Sequence, residues 1–254
     1  MKRPYWIGYN ELAWTNLIIA PPEEYAEETE RFCRTIQEHS KIEPETVLHL
    51  GSGAGINDYT FKKSFKVTGV DISRGMLEVA RNLNPEVTYF HGDIRVADLK
   101  KQFDAVVIPE SINYMTTIED ARKTVITAYK HLKPGGVFLF ATHIKEEFQE
   151  NNFVYKGSKG SIQVTVFENN YIPDPEKLTY ESTIIYLIRN SGKMEIYTDL
   201  HIIGLFYKNT WLDLLKECEF EVTEEKLDDT YAQFIMGEGK YPLRLFICTN
   251  KFQQ

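Results

Sequence analysis

The chain has 254 residues, 43% of them hydrophobic and 26% charged, with a formal net charge of -8 at pH 7. These proportions exclude a disordered or collagen-like polymer, and the length suits one elaborated domain with a substantial core. The negative balance removes the attraction to phosphates that dominates non-specific nucleic-acid binding, so no nucleic-acid partner is expected.

The three cysteines, Cys33, Cys218 and Cys248, are too far apart in sequence for a zinc knuckle or a redox pair, which points to a reducing cytoplasm and to no metal site. Leu17 to Ala20 is too short an apolar run for a secretory core, and no stretch approaches the ~20 apolar residues of a membrane span. No membrane partner is expected.

In chain order, Pro21 and Pro22 followed by Glu23, Glu24, Glu27 and Glu28 predict a helix start whose apolar face is Tyr25, Phe32, Cys33 and Ile36. Thr46 to Leu50 reads as a strand entering a glycine-rich turn, and Lys66 to Val70 as a second strand. A helix with Met76, Leu77, Ala80 and Leu83 at helical spacing follows, then strands at 87–90 and 103–108. The second of these is apolar apart from Asp104, as in a strand covered on both faces.

Thr117 and Asp120 form a capping pattern for a helix facing inward with Ile118, Ala121, Val125, Ala128, Tyr129 and Leu132. Lys133-Pro134-Gly135-Gly136 stops it and launches a strand at 137–141. After residue 150, segments 161–167, 178–188 and 194–206 predict a three-stranded antiparallel meander. Its turns are marked by Pro173-Asp174-Pro175 and Asn190-Ser191-Gly192. Thr210 and Asp213 suggest a helix cap, and 243–249 a last strand.

The strongest motif is Val47-Leu48-His49-Leu50-Gly51-Ser52-Gly53-Ala54-Gly55, a strand running into a glycine turn. Glycines let a backbone approach a ligand where side chains would collide, and the following helix N-terminus offers amide donors, so a nucleotide cofactor is implied. A dinucleotide fingerprint has its third glycine one residue later, where this chain has Ile56, which leaves NAD as the runner-up. Asp71 follows at roughly the 20-residue spacing at which an acid accepts the ribose hydroxyls. Its alternative role, a helix N-cap, is one that Ser73 can fill. Ile72 is placed to cover one face of the adenine, and Asp93, in His91-Gly92-Asp93-Ile94, to accept from the adenine amino group.

The glycine turn, Val70-Asp71-Ile72-Ser73, His91-Gly92-Asp93-Ile94, Phe103-Asp104-Ala105-Val106-Val107 and Leu132-Lys133-Pro134-Gly135-Gly136 occur in order. This set resembles the class I S-adenosylmethionine-dependent methyltransferases, across roughly residues 20 to 250. The resemblance implies an α/β Rossmann-like seven-stranded methyltransferase sheet carrying the antiparallel meander as an insertion. It implies S-adenosylmethionine as cofactor and S-adenosylhomocysteine as product. Cofactor contacts are expected from Gly51, Ser52, Gly53, Gly55, Asp71, Ile72, Met76, Asp93, Ile94, Pro109, Glu110 and Asn113. A weaker likeness, in the meander and Thr198 to Ile202, is to small-molecule methyltransferases such as sugar amine N-methyltransferases. The chain departs from the family at His49, where an Asp or Glu that helps hold the methionyl amine is usual. Either His49 does this differently or it fills space under the turn.

One domain, 1–254, is expected, divided into an N-terminal lid (1–40), a cofactor-binding core (41–145), the insertion (146–207) and a return to the sheet (208–254). The acceptor is read as the nitrogen or oxygen of a small polar molecule. Strand parity puts Glu195, Tyr197, Asp199 and His201 on one face of the last meander strand, so Asp199 is placed to orient His201 as a general base. His143, after the fifth strand, is the rival base. Tyr5, Trp14 and Tyr25 are candidates to wall the site. An NAD-type oxidoreductase and a non-catalytic S-adenosylmethionine-binding protein are the other functional readings. Edge strands of the meander allow a homodimer, which nothing in the sequence demands.

Overall fold

A computed structural model describes residues 5–227 and 231–251. The extreme ends of the expected lid (1–40) and of the returning segment (208–254), with 228–230, lie outside the described residues.

Five strands follow one another in parallel: β1 (Thr46–Leu50), β2 (Lys66–Asp71), β3 (Thr88–His91), β4 (Phe103–Ile108) and β5 (Leu132–Thr142). With β10 (Glu221–Leu227) and β11 (Leu243–Thr249) they make a seven-stranded sheet of order β10-β11-β5-β4-β1-β2-β3, in which β11 runs antiparallel to both of its neighbours. Two helical layers cover it. α2 (Ala26–His39), α3 (Asp58–Phe61) and α4 (Arg74–Leu83) bury Phe32, Ile36, Phe61, Leu77 and Ala80 against one face. α5 (Ile118–Lys130) and α6 (Lys208–Glu217) bury Val125, Ala128, Trp211 and Leu215 against the other. β4 is buried at every residue, as a central strand with two covered faces requires.

The polar exception in β4, Asp104, pins the strand starts together. Its carboxylate accepts from Thr46 N (2.9 Å), Thr46 Oγ1 (2.6 Å) and Lys133 Nζ (2.8 Å). Helix starts follow the sequence where the cap is local. Thr117 Oγ1 accepts from Asp120 N at 3.1 Å, and Ser73 Oγ accepts from Met76 N at 3.1 Å. α6 is different. It begins at Lys208 rather than at a Thr210 cap, because the Glu146 carboxylate, from outside the helix, accepts from Lys208 N at 3.2 Å. β5 likewise starts at Leu132 rather than Val137, since Phe103 pairs with Leu132 before the register shifts.

The insertion has four strands where three are expected from the sequence: β6 (Asn151–Lys159), β7 (Ile162–Tyr171), β8 (Thr179–Asn190) and β9 (Lys193–Gly204), in an antiparallel sheet of that order. β9 shows the expected alternation: His201 is buried and Asp199 half-buried, while Met194, Ile196, Leu200 and Ile202 on the opposite face are exposed. One end of the inner face is apolar, with Val164, Val166, Tyr186 and Ile188 packed on Leu12 of the N-terminal strap. This strap includes the short helix α1 (Asn16–Ile19). The other end of that face is polar, and it meets the turn after β4, where Tyr114 OH lies 2.8 Å from His201 Nδ1. Among the described residues no helix is long and apolar enough to cross a membrane.

Candidate active site

The three turn glycines all adopt left-handed φ angles, 75° at Gly51, 53° at Gly53 and 74° at Gly55, a region that costs any side chain energy. At Gly51 a Cβ would strike Ser111 at 2.3 Å, and at Gly55 it would strike Asn84 and Tyr89 at 2.7 Å. At Gly53 it would meet nothing within 4 Å, so this glycine faces open space beside the strand ends, where open α/β sheets bind ligands.

Asp71, at the end of β2, looks onto that space. Its Oδ2 accepts from Gly53 N at 2.8 Å and its Oδ1 from Ser73 N at 2.7 Å. The two amides fix the carboxylate and leave each oxygen a further lone pair for a hydroxyl donor. Burial raises the Asp71 pKa, against the pull of these two donors. Ile72 beside it stays exposed, free to meet a flat ring. The residues present therefore fit an adenosine: an open glycine, a pinned carboxylate at ribose spacing and an uncovered apolar side chain.

The other expected cofactor contacts divide. Ser52 closes the turn: its N–H donates to Val70 O at 3.0 Å, and its Oγ sits 2.9 Å from where a Gly69 Cβ would be. Met76 and Ala54 pack on Ala13 of the strap, and Ile94 is in the core. Asp93 is held by Arg95 through Nε (3.0 Å to Oδ1) and Nη2 (2.6 Å to Oδ2). Pro109 O accepts from Ala141 N at 3.1 Å, and buried Asn113 accepts through Oδ1 from Thr142 Oγ1 at 2.6 Å.

His49 does not stand in the space beside Gly53. It is buried under the turn, Nδ1 2.7 Å from Asp58 Oδ1, and Asp58 Oδ2 accepts from Tyr89 OH at 2.8 Å. Asn84 Nδ2 donates to both Tyr89 OH (3.1 Å) and Gly55 O (2.8 Å). The carboxylate usual at position 49 is thus present nearby, one helix later, and the network ends on a glycine of the turn.

Two histidines flank the strand ends. His201 Nδ1 lies 2.8 Å from Tyr114 OH, and Tyr114 OH lies 2.5 Å from Tyr9 OH. His201 Nε2 is 3.1 Å from Asp199 Oδ2, close but poorly aligned for a hydrogen bond. Asp199 itself accepts from Gly8 N at 3.0 Å. Burial lowers the His201 pKa, with Asp199 opposing. His143 is different: its Nδ1 donates to Pro242 O at 3.0 Å, and burial pushes its pKa down to about 4.

The strap reaches the site through Trp6 and Tyr9 rather than Tyr5 and Trp14. The Trp6 ring packs 4.8 Å from Tyr114 and 5.2 Å from His201, and Tyr9 O accepts from Ser73 Oγ. Tyr5 is exposed, and Trp14 lies beside Ile162, Ile188 and Lys193 at the far end of the meander. Tyr25 does reach the site, 6.0 Å from the Tyr231 ring.

Where the meander meets the turn after β4 lie the expected contact Glu110 and a second acid, Glu168, which the sequence reading missed. Glu110 accepts from Tyr231 OH, and from Tyr241 OH at 3.4 Å. Glu168 accepts through Oε1 from Asn170 Nδ2 (3.0 Å) and Ser182 Oγ (3.2 Å). Glu168 and Asn170 share the inner parity of Val164 and Val166; carrying that strand on to residue 171 would have found both. Burial, then the nearby Glu168, raises the Glu110 pKa from its ordinary 4.5 to about 7. Such a carboxyl ionises near pH 4.5 unfolded but only near 7 folded, so its destabilising effect grows across that window and is complete above it. Glu110→Gln is therefore expected to stabilise the protein at pH 8, on the order of 2 kcal/mol, and to change little at pH 5, as read by thermal melts at both pH values.

Comparison with known proteins agrees with this geometry. A methyltransferase domain family matches residues 47–136. A dTDP-4-amino-2,3,4,6-tetradeoxy-D-glucose N,N-dimethyltransferase of Saccharopolyspora spinosa is 26% identical over 184 residues, 69% of this chain and 71% of that one. A dTDP-3-amino-3,4,6-trideoxy-alpha-D-glucopyranose N,N-dimethyltransferase of Streptomyces venezuelae is 26% identical over 195 residues, covering 73% and 78%. The crystal structure of Streptomyces venezuelae DesVI shares the fold, with a TM-score of 0.76 at 22% identity over 89% of this chain and 92% of that one. The pinned Asp71 and the open glycine turn lie within the matched methyltransferase domain, residues 47–136, and by that domain and its fold the chain is an S-adenosylmethionine-dependent methyltransferase.

Proposed function

We propose that the chain methylates the nitrogen of a small amine, and that His201 removes the amine's proton through Tyr114 and Tyr9. When bound, S-adenosylmethionine supplies a methyl group on a sulfonium, an electrophile that needs no covalent enzyme intermediate. Positioning then supplies most of the acceleration. The amine lone pair forms the new C–N bond as the C–S bond breaks toward sulfur, and S-adenosylhomocysteine leaves.

An amine arrives protonated at neutral pH and must lose one proton to become a nucleophile. The observation that carries the reading is the unbroken chain His201 Nδ1, Tyr114 OH, Tyr9 OH, with steps of 2.8 and 2.5 Å. The Tyr9 backbone oxygen accepts from Ser73 Oγ, two residues from Asp71, and this supports Tyr9 as the end of the chain nearer the cofactor. A proton accepted at Tyr9 passes one hydroxyl to the next and ends on His201, where Asp199 stabilises the imidazolium. The two relatives, both N,N-dimethyltransferases, favour nitrogen over oxygen. His143, with its pKa pushed to about 4, is the poorer base. The cysteines are free, with Cys33 and Cys248 buried, which suits a reducing compartment.

Tyr9→Phe and His201→Asn are each expected to lower kcat about 100-fold or more, the usual share of general-base catalysis, while S-adenosylmethionine still binds. The check is single-turnover kinetics beside calorimetry on the same variants; full turnover in Tyr9→Phe would remove the relay from the mechanism.

A further inference from the structure

When one face of an antiparallel sheet packs on a core, the residues pointing the other way are ordinarily polar. The outer face of the meander departs from this on β8 and β9. Ile185 of β8 and Met194, Ile196, Leu200 and Ile202 of β9 all stand exposed, Ile196 at 64% and Leu200 at 52%. The register makes them neighbours: Ile185 pairs with Thr198, between Ile196 and Leu200, and Leu187 pairs with Ile196. Phe167 of β7 pairs with Ile185 and extends the row. Single exposed apolar residues need no explanation, but a contiguous patch of them marks an interface.

The two ends of the same face carry charge. Along β8 the outward residues run Glu181, Thr183, Ile185, Leu187 and Arg189, with Ile185 in the middle. Arg189 donates to Gly192 O at 3.0 Å, and among the described residues neither it nor Glu181 lies in an ion pair. An acid and a base at equal distances on either side of an apolar centre are complementary to a second copy of themselves. A two-fold axis between two stacked sheets, at right angles to the strands, lays each strand over its own copy reversed. Ile185 then meets the partner's Ile185, and Glu181 meets the partner's Arg189, twice over by symmetry. On β9, Ile196 faces the partner's Leu200 and Met194 the partner's Ile202. A groove of about 550 Å³, lined in part by Phe167, Thr183, Ile185 and Met236, lies on this face and gives an opposing apolar side chain room to enter.

We propose that the chain forms a two-fold dimer by stacking the outer faces of two meanders. Two antiparallel sheets stack about 10 Å apart, with their strands within about 30° of one another. The face from Glu181 to Arg189 is four strands wide, about 20 Å by 30 Å at ordinary strand spacings, on the scale of the ~800 Å² that each partner gives to a standard interface. Pairing two β9 edges in one plane would also bring Ile196 to the partner's Leu200. It would, however, hold the two β8 strands about 14 Å apart and leave Glu181 and Arg189 without each other. The stack backs the strand that carries Asp199 and His201 on its inner face, and it does not depend on which atom is methylated.

Size-exclusion chromatography with light scattering, run on the full chain over a dilution series, tests this. A dimer is expected in the micromolar range. Ile196→Glu, which sets a charge against the partner's Leu200 in the apolar centre, is expected to weaken it about 100-fold or more. Glu181→Arg and Arg189→Glu each bring like charges together at two places and are expected to weaken it about 10-fold, while the double exchange restores it. Melts confirm that each variant is folded. A chain that is monomeric at about 100 μM overturns the proposal, and sedimentation of that monomer with phosphatidylcholine–phosphatidylglycerol vesicles would assign the face to a lipid surface instead. A dimer that folded Ile196→Glu leaves intact overturns it as well. A dimer lost in Ile196→Glu but unchanged by both single charge reversals would be joined through the β9 edges, and the stacked arrangement would fall.

Discussion

Replacing Asp71 with alanine is expected to weaken S-adenosylmethionine binding about 100-fold or more. Two effects add. The first is direct: a carboxylate accepting ribose hydroxyls makes charge-assisted hydrogen bonds worth about 1.5–3 kcal/mol each. The second is preorganisation, because the same carboxylate ties Gly53 N on the glycine turn to Ser73 N at the start of α4, and both amides lose their acceptor when it goes. Asp71→Asn is not a mild change here. Each carboxylate oxygen receives a backbone N–H, and an amide turns one of those acceptors into a donor facing a donor. The asparagine variant is expected to bind nearly as poorly as alanine, which calorimetry on both will show.

The second large effect is on stability. Asp58 is fully buried, and its carboxylate is shared by His49 at 2.7 Å and Tyr89 at 2.8 Å. Asp58→Ala leaves a buried imidazole and a buried phenol without their partner, a change that costs about 3–5 kcal/mol for a buried polar pair. In a protein of this size that lowers the melting temperature by roughly 10 °C. His49→Asp, the residue usual for the family, is also expected to destabilise, because it sets a second carboxylate against Asp58. The pairing itself is tested by a double-mutant cycle of His49→Ala and Asp58→Ala: a combined loss well below the sum of the single losses is the signature of a shared interaction, and simple additivity would show that the two residues act separately.

The cofactor half of the molecule was legible because its signals are local. A strand, three glycines and an acid at the next strand end sit within one short stretch, and β1, β2 and β4 are apolar runs with clear boundaries. Asp199 and His201 were legible through strand parity alone. β6 and β10 were not. β10 carries Glu221, Glu224, Glu225 and Lys226, and it is held at the sheet edge by pairing with β11 and by ion pairs to Lys41, Arg31 and Lys208, partners distant in sequence. β6 opens on Asn151 and Asn152 and ends in Lys156-Gly157-Ser158-Lys159, a composition that reads as loop until β7 pairs with it.

The site shows the same division. The roles of His49 and Asp58 could not be told apart from the sequence, since the helix that brings Asp58 under the turn is a single turn long. The strap presents Trp6 and Tyr9 rather than Tyr5 and Trp14 because it runs through short 3-10 turns, where no helical or strand periodicity assigns a face. Its path is set instead by close approach to α4, where a Cβ on Gly75 would stand 2.6 Å from Asn10 O.

The central claim is that the space between Gly53, Asp71 and Ile72 holds S-adenosylmethionine. Calorimetric titration of the purified protein with S-adenosylmethionine and S-adenosylhomocysteine, beside Asp71→Ala and with NAD as a control, tests it most directly. Saturable binding of both sulfur compounds, lost in the variant and absent for NAD, is the predicted result; no binding, or preference for NAD, would contradict it.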